Sequence, residues 1–206
     1  MRTKGVKRFK ITMTKIPLTV SKLTLLLLIL LIVAFTVQPP SARAQILGAD
    51  PLFDAAERGN FDDAQKAILA GSPANIRGGD AVTALMISSR LGAIDVVELL
   101  LHHGAIADLV EGEGNTALIN AALNDHDEVI GALLDAGAKI NHANKQGETA
   151  LMRAAGAGSD YAVAALLAAG ADAGLTDFTG RTALDLAREN RRNRVVRTFT
   201  KAGISR

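Results

Sequence analysis

The amino-acid sequence predicts an all-α solenoid of about five helix-turn-helix repeats, joined by hairpin-like loops. The first observation is an interval, because the tripeptide Thr-Ala-Leu recurs every 33 residues, starting at Thr83, Thr116, Thr149 and Thr182. The second is composition, since one Tyr, six Phe and no Trp are few aromatic residues for a strand-rich fold. A constant interval of this length marks stacked repeats, because a single unit cannot bury its apolar face alone.

The first element along the chain is a basic and then apolar segment, residues 1–44. It holds eight basic side chains and no acidic one, and it continues with an apolar run from Leu23 to Val37 and small residues at Ala42 and Ala44. This order is typical of a secretory signal peptide, with cleavage after Ala44. The alternative is an uncleaved membrane anchor, although the run of 15 apolar residues is shorter than the roughly 18 of a spanning helix. We therefore expect a periplasmic or secreted protein, or alternatively one anchored to the inner membrane and facing the periplasm.

The rest of the chain, residues 45–206, is predicted to be one repeat domain with no second domain. The repeats lie near 45–77, 78–110, 111–143, 144–176 and 177–206. Removing the N-terminal segment changes the net charge from +2 to −6, because 15 basic and 21 acidic side chains remain. The basic character thus belongs to the N-terminal segment, and together with export this argues against a nucleic-acid partner. With no Cys, packing must supply the stability.

Each repeat contains the residues that begin and end two helices. Thr is expected to cap the first helix, and Asp50 replaces it in the first copy, followed by Pro51 at the first helical position. The spacing predicts a first helix such as 84–91, a chain reversal at a central Gly, and a second helix bearing apolar rows such as "VVELLL". The second helix is expected to end before a Gly in the left-handed conformation, at Gly71, Gly104, Gly137, Gly170 and Gly203.

Two segments, "GNTALINAALNDHDEVIGALLDAGAKIN" and "GETALMRAAGAGSDYAVAALLAAGAD", combine T-x-L, a central turn and "LLxxGA". This pattern resembles the ankyrin repeat, here of an exported bacterial type because of the N-terminal segment. The family's His after T-P-L is absent, and the five copies carry other residues in its place, Phe53, Met86, Ile119, Met152 and Asp185. The resemblance implies a helical solenoid that binds proteins through its concave face.

Motifs for catalysis are missing from the sequence. It has no Cys, no G-x-S-x-G and no P-loop. Acidic residues at Asp62, Asp63 and 125–128 are interpreted as beginning second helices, where carboxylates favour the helix dipole. The four His residues are interpreted as structural, His102, His103, His126 and His142. We therefore predict that the protein is not an enzyme and needs neither a metal nor a cofactor.

The resemblance places a binding surface on the loop tips and the exposed side of the first helices. Phe178 is either an anchor for a partner or folded back onto its loop, while Asn120 and Arg153 either reach the groove or satisfy loop carbonyls. Another protein suits this mixed surface better than a small molecule does, and we expect the chain to be a monomer. The predicted contact residues are Arg77, Asp80, Arg90, Leu91, Glu113, Asn115, Leu123, Asn124, Lys145, Gln146, Glu148, Phe178 and Arg181.

One end of the array is basic. Residues 181–206 contain eight Arg or Lys side chains against Asp185 and Glu189. This end is either a solvated cap or a patch for an anionic surface such as phospholipid headgroups. Two functions follow: a non-catalytic protein-interaction module in the cell envelope that binds an exported partner, or a membrane-associated adaptor that uses the basic end or an uncleaved N-terminal anchor.

Overall fold

The computed structural model describes residues 50–205, which form five consecutive helix-turn-helix pairs. The predicted signal peptide and its cleavage after Ala44 lie outside these residues. A short turn, Gly79–Ala81, follows the first pair, and its residues Asp80 and Ala81 have positive φ rather than helical values. The all-α prediction is confirmed by the ten helices of this part of the chain, α1 Pro51–Arg58, α2 Phe61–Leu69, α3 Ala84–Leu91, α4 Ile94–His102, α5 Ala117–Leu123, α6 Asp127–Asp135, α7 Ala150–Ala157, α8 Asp160–Ala168, α9 Ala183–Glu189 and α10 Asn193–Lys201.

The first helix of every pair begins at the predicted cap. The hydroxyl of Thr83 accepts a hydrogen bond from the Met86 N–H at 3.3 Å, and the other three Thr residues make the equivalent bond. In the first copy Asp50 accepts from the Leu52 N–H at 2.8 Å, and Pro51 is the first helical residue. Each cap satisfies a backbone donor that the helix leaves free, and typically stabilises by about 1 kcal/mol.

The chain reverses between the two helices of a pair through one residue with positive φ. Gly supplies it in three copies, and Gly92 is representative with φ 72°. The equivalent residues of the third and fifth copies are Asp125, with φ 64°, and Arg191, with φ 56°. A residue that has a Cβ loses free energy when it adopts the left-handed conformation, whereas Gly does not. The turns at Asp125 and Arg191 are therefore strained.

The core is a stack of small and branched apolar side chains that crosses every repeat boundary. The Leu of each T-x-L position is at most 1% exposed, and each first helix packs on the first helix of the next repeat. Successive first helices contact one another more extensively than successive second helices do, so we expect the first helices to lie on the inner, concave side of the array. At the C-terminal end α10 buries Val195 and Phe199 completely.

None of the helices between residues 50 and 205 is both long and apolar enough to cross a membrane.

Candidate functional site

Four hairpins connect the repeats and stand side by side along the inner face, at residues 78–82, 111–115, 144–148 and 177–181. Each is closed by a bond between its ends, such as Glu111 N–H to the Asn115 carbonyl at 3.1 Å. Neighbouring hairpins are also joined through their backbones, by Gly112 N–H to Asp80 O at 2.8 Å and by Phe178 N–H to Gln146 O at 3.2 Å. Lys145 N–H makes the corresponding bond to Glu113 O. The tips therefore form one continuous, hydrogen-bonded ridge.

A buried or half-buried acceptor side chain holds each of the last three hairpins, at Glu111, Asn144 and Asp177. The Asp177 Oδ1 atom accepts from the backbone N–H groups of Thr179 and Arg181 at 2.9 and 3.0 Å, and Asn144 and Glu111 accept from their own loops in the same way. Sequence reasoning missed these residues, although they too recur every 33 positions. The pattern that indicates them is a side-chain acceptor that lies two and four residues before the backbone N–H groups it binds.

The Asp177 carboxylate has the most perturbed environment of this surface. Burial alone would raise the pKa of Asp177, but hydrogen bonds from Thr179 and Arg181 outweigh burial and hold the pKa well below its ordinary value. The Arg181 guanidinium lies 2.7 Å from Asp177 Oδ2 and 3.3 Å from Glu189 Oε2. The last hairpin is therefore fixed by an ion-pair network rather than left open for a ligand.

The first hairpin differs from the other three. It carries Gly78 at the acceptor position, and both Asp80 and Ala81 at its tip have positive φ, 53° and 61°. The Phe53 ring packs against Gly78, where an added Cβ would lie 3.2 Å from it. A cavity of about 570 Å³ opens beside this hairpin, between the first two repeats.

The predicted contact residues divide into two groups in the structure. Four are half-buried: Leu123, and three that are also bonded internally, Asn115 with Glu111 and Asn144, Glu148 with Arg153, and Arg181 with Asp177. The remaining ones are exposed along the hairpins and the ends of the first helices, Arg77, Asp80, Arg90, Leu91, Glu113, Asn124, Lys145, Gln146 and Phe178. Internal side-chain bonds also involve four of the exposed residues, Arg77, Glu113, Asn124 and Gln146.

Phe178 combines the two arrangements that the sequence left open. Its side chain is 79% exposed, yet its ring lies over the neighbouring hairpin, where a Cβ on Gly147 would be only 2.7 Å from a ring carbon. The ring is thus held from one side and open on the other. Such a fixed aromatic surface loses little conformational entropy when a partner covers it.

Asn120 and Arg153 take different roles. Arg153 donates to the Glu148 carboxylate at 3.1 Å, so it satisfies a loop carboxylate rather than loop carbonyls. Asn120 instead lines a second cavity of about 210 Å³, together with Arg90 and Glu113. Asn120 therefore reaches the groove, whereas Arg153 ties a hairpin to the helix behind it.

Two of the His residues join repeats. His126 Nε2 lies 3.1 Å from the Arg90 carbonyl oxygen, and His142 Nε2 lies 3.0 Å from the Gly114 carbonyl oxygen. His102 and His103 meet edge to face at the end of α4. In the described part of the chain no three His, Asp or Glu residues are grouped so that they could hold a metal ion.

In the last three repeats, the turn before the second helix carries a bond to the preceding repeat. The side chains of His126, Ser159 and Arg192, spaced at 33 residues, each donate to a carbonyl of the preceding first helix, those of Arg90, Leu123 and Gly156. The equivalent Ala93 has no side-chain donor. We call these three contacts the turn bonds; the first repeat boundary lacks one.

The interpretation of Asp125 as the start of a second helix is wrong. Asp125 lies in the turn before α6, and its carboxylate accepts from the Ala162 N–H of α8, in the next repeat, at 2.8 Å. A short polar side chain tolerates the left-handed conformation, and this bond offsets the remaining cost. Asp125 therefore joins two repeats instead of capping its own helix.

The basic end is only partly neutralised. Arg194 lies 3.2 Å from Asp160 and Arg181 is paired as described above, whereas Arg188 donates to the Ser205 carbonyl. Among the described residues, Arg191, Arg197 and Lys201 form no ion pair, and all three are exposed.

Comparison with protein families gives two matches. A model described as ankyrin repeats (3 copies) matches residues 52–144, and a model described as ankyrin repeats (many copies) matches residues 133–187. Together they span α1 to the middle of α9. A search among curated proteins found no match.

Proposed function

The chain belongs to the ankyrin-repeat family, whose repeats generally serve protein–protein interaction, and we propose that it is a non-catalytic binding module of the cell envelope. In this proposal it acts as a monomer and holds an exported partner protein on its concave face. The observation that carries the proposal is the hydrogen-bonded ridge of hairpins, which presents exposed charged, amide and aromatic side chains in fixed positions.

Preorganisation is the physical reason that this ridge suits a protein partner. The backbone bonds between hairpins order the tips before any partner arrives, so binding does not have to order them. The tips carry both signs of charge, at Asp80, Glu113 and Lys145, beside the open ring of Phe178. This mixture resembles the polar rim and aromatic centre of protein interfaces.

The envelope location rests on residues 1–44, whose basic, apolar and small-residue order is that of an export signal. Comparing the N-terminus of the protein recovered from the native cell with the full sequence tests this part. A mature chain that starts at Gln45 supports cleavage and a periplasmic or secreted protein. Retention of residues 1–44 supports the membrane-anchored alternative.

Affinity capture tests the binding surface. The wild-type protein and a Leu91→Ala, Leu123→Ala, Phe178→Ala variant are used to capture proteins from the extracytoplasmic fraction of the native cell. We expect a protein that the wild type retains and the variant loses, since the substitutions remove apolar contacts of the concave face. Thermal unfolding of both proteins provides the control for stability, and identical captures would contradict the proposed surface.

A second candidate function is supported by the basic end. Arg191, Arg197 and Lys201 are exposed and unneutralised within residues 50–205, and each basic residue near an anionic bilayer contributes about 1 kcal/mol of attraction. In this function the last repeat holds the array on the membrane while the groove binds its partner. Cosedimentation with vesicles containing anionic lipid tests it: an Arg191→Ala, Arg197→Ala, Lys201→Ala variant should lose binding, and unchanged binding contradicts it.

A further inference from the structure

The cavity between the first two repeats has the size and lining of a binding pocket. Its volume of about 570 Å³ lies within the roughly 300–1,000 Å³ that is common for binding pockets. Its apolar wall comes from α1, the first hairpin region and α3, and its rim carries charges. The apolar wall includes Phe53, Ile76, Val82 and Ile87, and the charged rim includes Glu57, Arg77 and Arg90.

Comparison of equivalent positions shows why this cavity is apolar. Val82 stands where the other three hairpins have polar side chains bonded to their own loop acceptors, Asn115, Glu148 and Arg181. Ile87 likewise stands where the next two repeats have Asn120 and Arg153. The acceptor position itself is Gly78. The polar network that covers the other hairpins is thus replaced here by apolar side chains at the cavity wall, of which Val82 is half-buried and Ile87 is 6% exposed.

The charges of the rim favour an anionic group. Arg77 reaches only the Val110 carbonyl oxygen, at 3.4 Å, and neither Arg77 nor Arg90 forms an ion pair within the described residues. The Asp50 carboxylate is buried and accepts from Leu52 N–H and the Ser72 hydroxyl. The lining of this cavity therefore holds two arginines, Arg77 and Arg90, against one exposed carboxylate, Glu57.

The cavity continues along the groove instead of ending at the first hairpin. The second cavity, of about 210 Å³, shares Val82, Ile87 and Arg90 with the first and is also lined by Glu111 and Glu113, so the two arginines outnumber the exposed carboxylates only in the first cavity. An occupant that fills both lies along the row of hairpins, from the first repeat toward Asn120 of the third. This shape fits an extended chain better than a compact small molecule.

We propose that this cavity anchors an extended peptide segment of the partner, with a large apolar side chain in the cavity and a nearby carboxylate on Arg77 and Arg90. The proposal rests on the proposed function of the groove and specifies its chemistry. The apolar side chain gains from burial against Phe53, Val82 and Ile87, and the carboxylate gains charge-assisted hydrogen bonds from the guanidinium groups.

Peptide selection followed by measurement of affinity tests the proposal. Full-length protein, expressed with its own N-terminal segment, is used to select peptides from a phage-displayed random library. We expect the selected peptides to share Leu, Ile, Met or Phe within a few residues of Asp or Glu. The strongest peptide is then labelled, and its Kd is measured by fluorescence polarisation against the wild type and variants.

The variants copy residues that other repeats already carry at the same positions, which keeps them compatible with the fold. Val82→Asn with Ile87→Asn reproduces Asn115 and Asn120, and Arg90→Glu reproduces Glu57 and Glu189. We expect each to weaken binding about tenfold or more. Tyr161→Ala, on the exposed side of α8 and outside the lining of both cavities, should leave the Kd within about twofold. If thermal unfolding shows that the double variant is not folded, the exposed Arg90→Glu decides alone.

Three results would overturn the proposal: no selected peptide, selected peptides without an acidic residue, or a Kd that Arg90→Glu and the double variant leave unchanged. The last result separates this proposal from the wider function. If the Kd of the peptide does not change with the cavity variants but rises with Leu123→Ala and Phe178→Ala, the groove binds its partner outside the cavity. A capture experiment that also shows no dependence on the groove would contradict the wider function itself.

Discussion

Two buried serines in α3 are the least satisfied residues of the described core. Ser88 and Ser89 are completely buried, and neither hydroxyl has a hydrogen-bond partner in the structure. At the position of Ser88 the other four repeats carry Ala55, Ala121, Ala154 and Ala187. An unpaired buried hydroxyl costs free energy, and Ala also has the higher helix propensity.

Ser88→Ala is therefore expected to stabilise the protein by about 1 kcal/mol. Chemical denaturation monitored by circular dichroism measures the change in the free energy of unfolding. The reverse substitution in the third repeat, Ala121→Ser, is the matched control and should destabilise by a similar amount. A lower free energy of unfolding for Ser88→Ala would mean that its hydroxyl has a partner after all.

The strained turn at Arg191 supplies a second test at the level of single residues. Arg191 has φ 56° and an exposed side chain, where three of the other copies carry Gly. Arg191→Gly should stabilise by about 0.5–1 kcal/mol, because the gain from relieved strain exceeds the entropy that Gly adds to the unfolded chain. Asp125→Gly is the control at the equivalent turn, where φ is 64°. This substitution also removes the bond to Ala162 N–H, so it should gain less stability or lose stability. Equal gains for both would contradict this account of Asp125.

At the scale of elements, the hairpins are the parts that sequence reasoning described least well. The helices follow from Thr and Gly at fixed positions and from apolar rows, because caps and core packing are local and periodic. The contacts between hairpins could not be predicted from the sequence, because they depend on side chains such as Asn144 and Glu113 that bond to neighbouring hairpins. Such contacts become apparent only after the register between repeats is known.

Asp177→Asn tests the acceptor that holds the last hairpin. Asn occupies the equivalent position at Asn144, so the loop should still form, but the ion pair with Arg181 is lost. We expect a loss of about 1 kcal/mol at neutral pH. The free energy of unfolding, measured by denaturation at several pH values, should show this loss, and the exposed Asp135→Asn provides the control for removal of one negative charge.

The pH dependence follows from the lowered pKa of Asp177. A carboxyl whose pKa is lower in the folded state than in the unfolded state stabilises fully above the unfolded value of about 4, and this contribution disappears as the pH falls through the folded value. The difference in stability between wild type and Asp177→Asn should therefore shrink below about pH 4. A difference that stays constant into acid would show that Asp177 is not held by these bonds.

At the scale of the whole molecule, the first repeat boundary differs from the others. It lacks a turn bond because Ala93 stands where His126, Ser159 and Arg192 donate to the preceding repeat. Its side-chain hydrogen bonds are on the hairpin side, through Asn75 and Arg77. In a solenoid, stability is the sum of repeats and their boundaries, so we expect the first repeat to open before its neighbours.

Ala93→His should strengthen this boundary. The ring of His126 lies over Gly92, and Gly59 offers the same left-handed turn, with φ 60°, to an imidazole introduced at position 93. We expect a gain of about 1 kcal/mol and slower hydrogen exchange in α1 and α2. Ser159→Ala, which removes a turn bond, should speed exchange near the third boundary; unchanged protection in both variants would contradict the role of these bonds.

The sequence predicted the arrangement of the repeats more completely than the contacts made by their surface side chains. The interval of 33 residues, read from positions such as Leu85 and Gly104, predicted the fold because each repeat needs the same local residues. The same interval could not show that Arg181 is paired while Arg90 is free of ion pairs in the described chain. Which side chains remain available to a partner depends on contacts between repeats, and these differ at each boundary.

Site-specific photo-crosslinking in the native cell tests the central claim, that a protein partner binds the concave face, most directly. A photoreactive amino acid replaces Leu123 on the inner side, Tyr161 on the exposed side of a second helix, or Lys201 at the basic end, in separate variants. We predict a discrete protein adduct from position 123 and none from position 161. An adduct formed only from position 161 or 201 would contradict binding through the concave face.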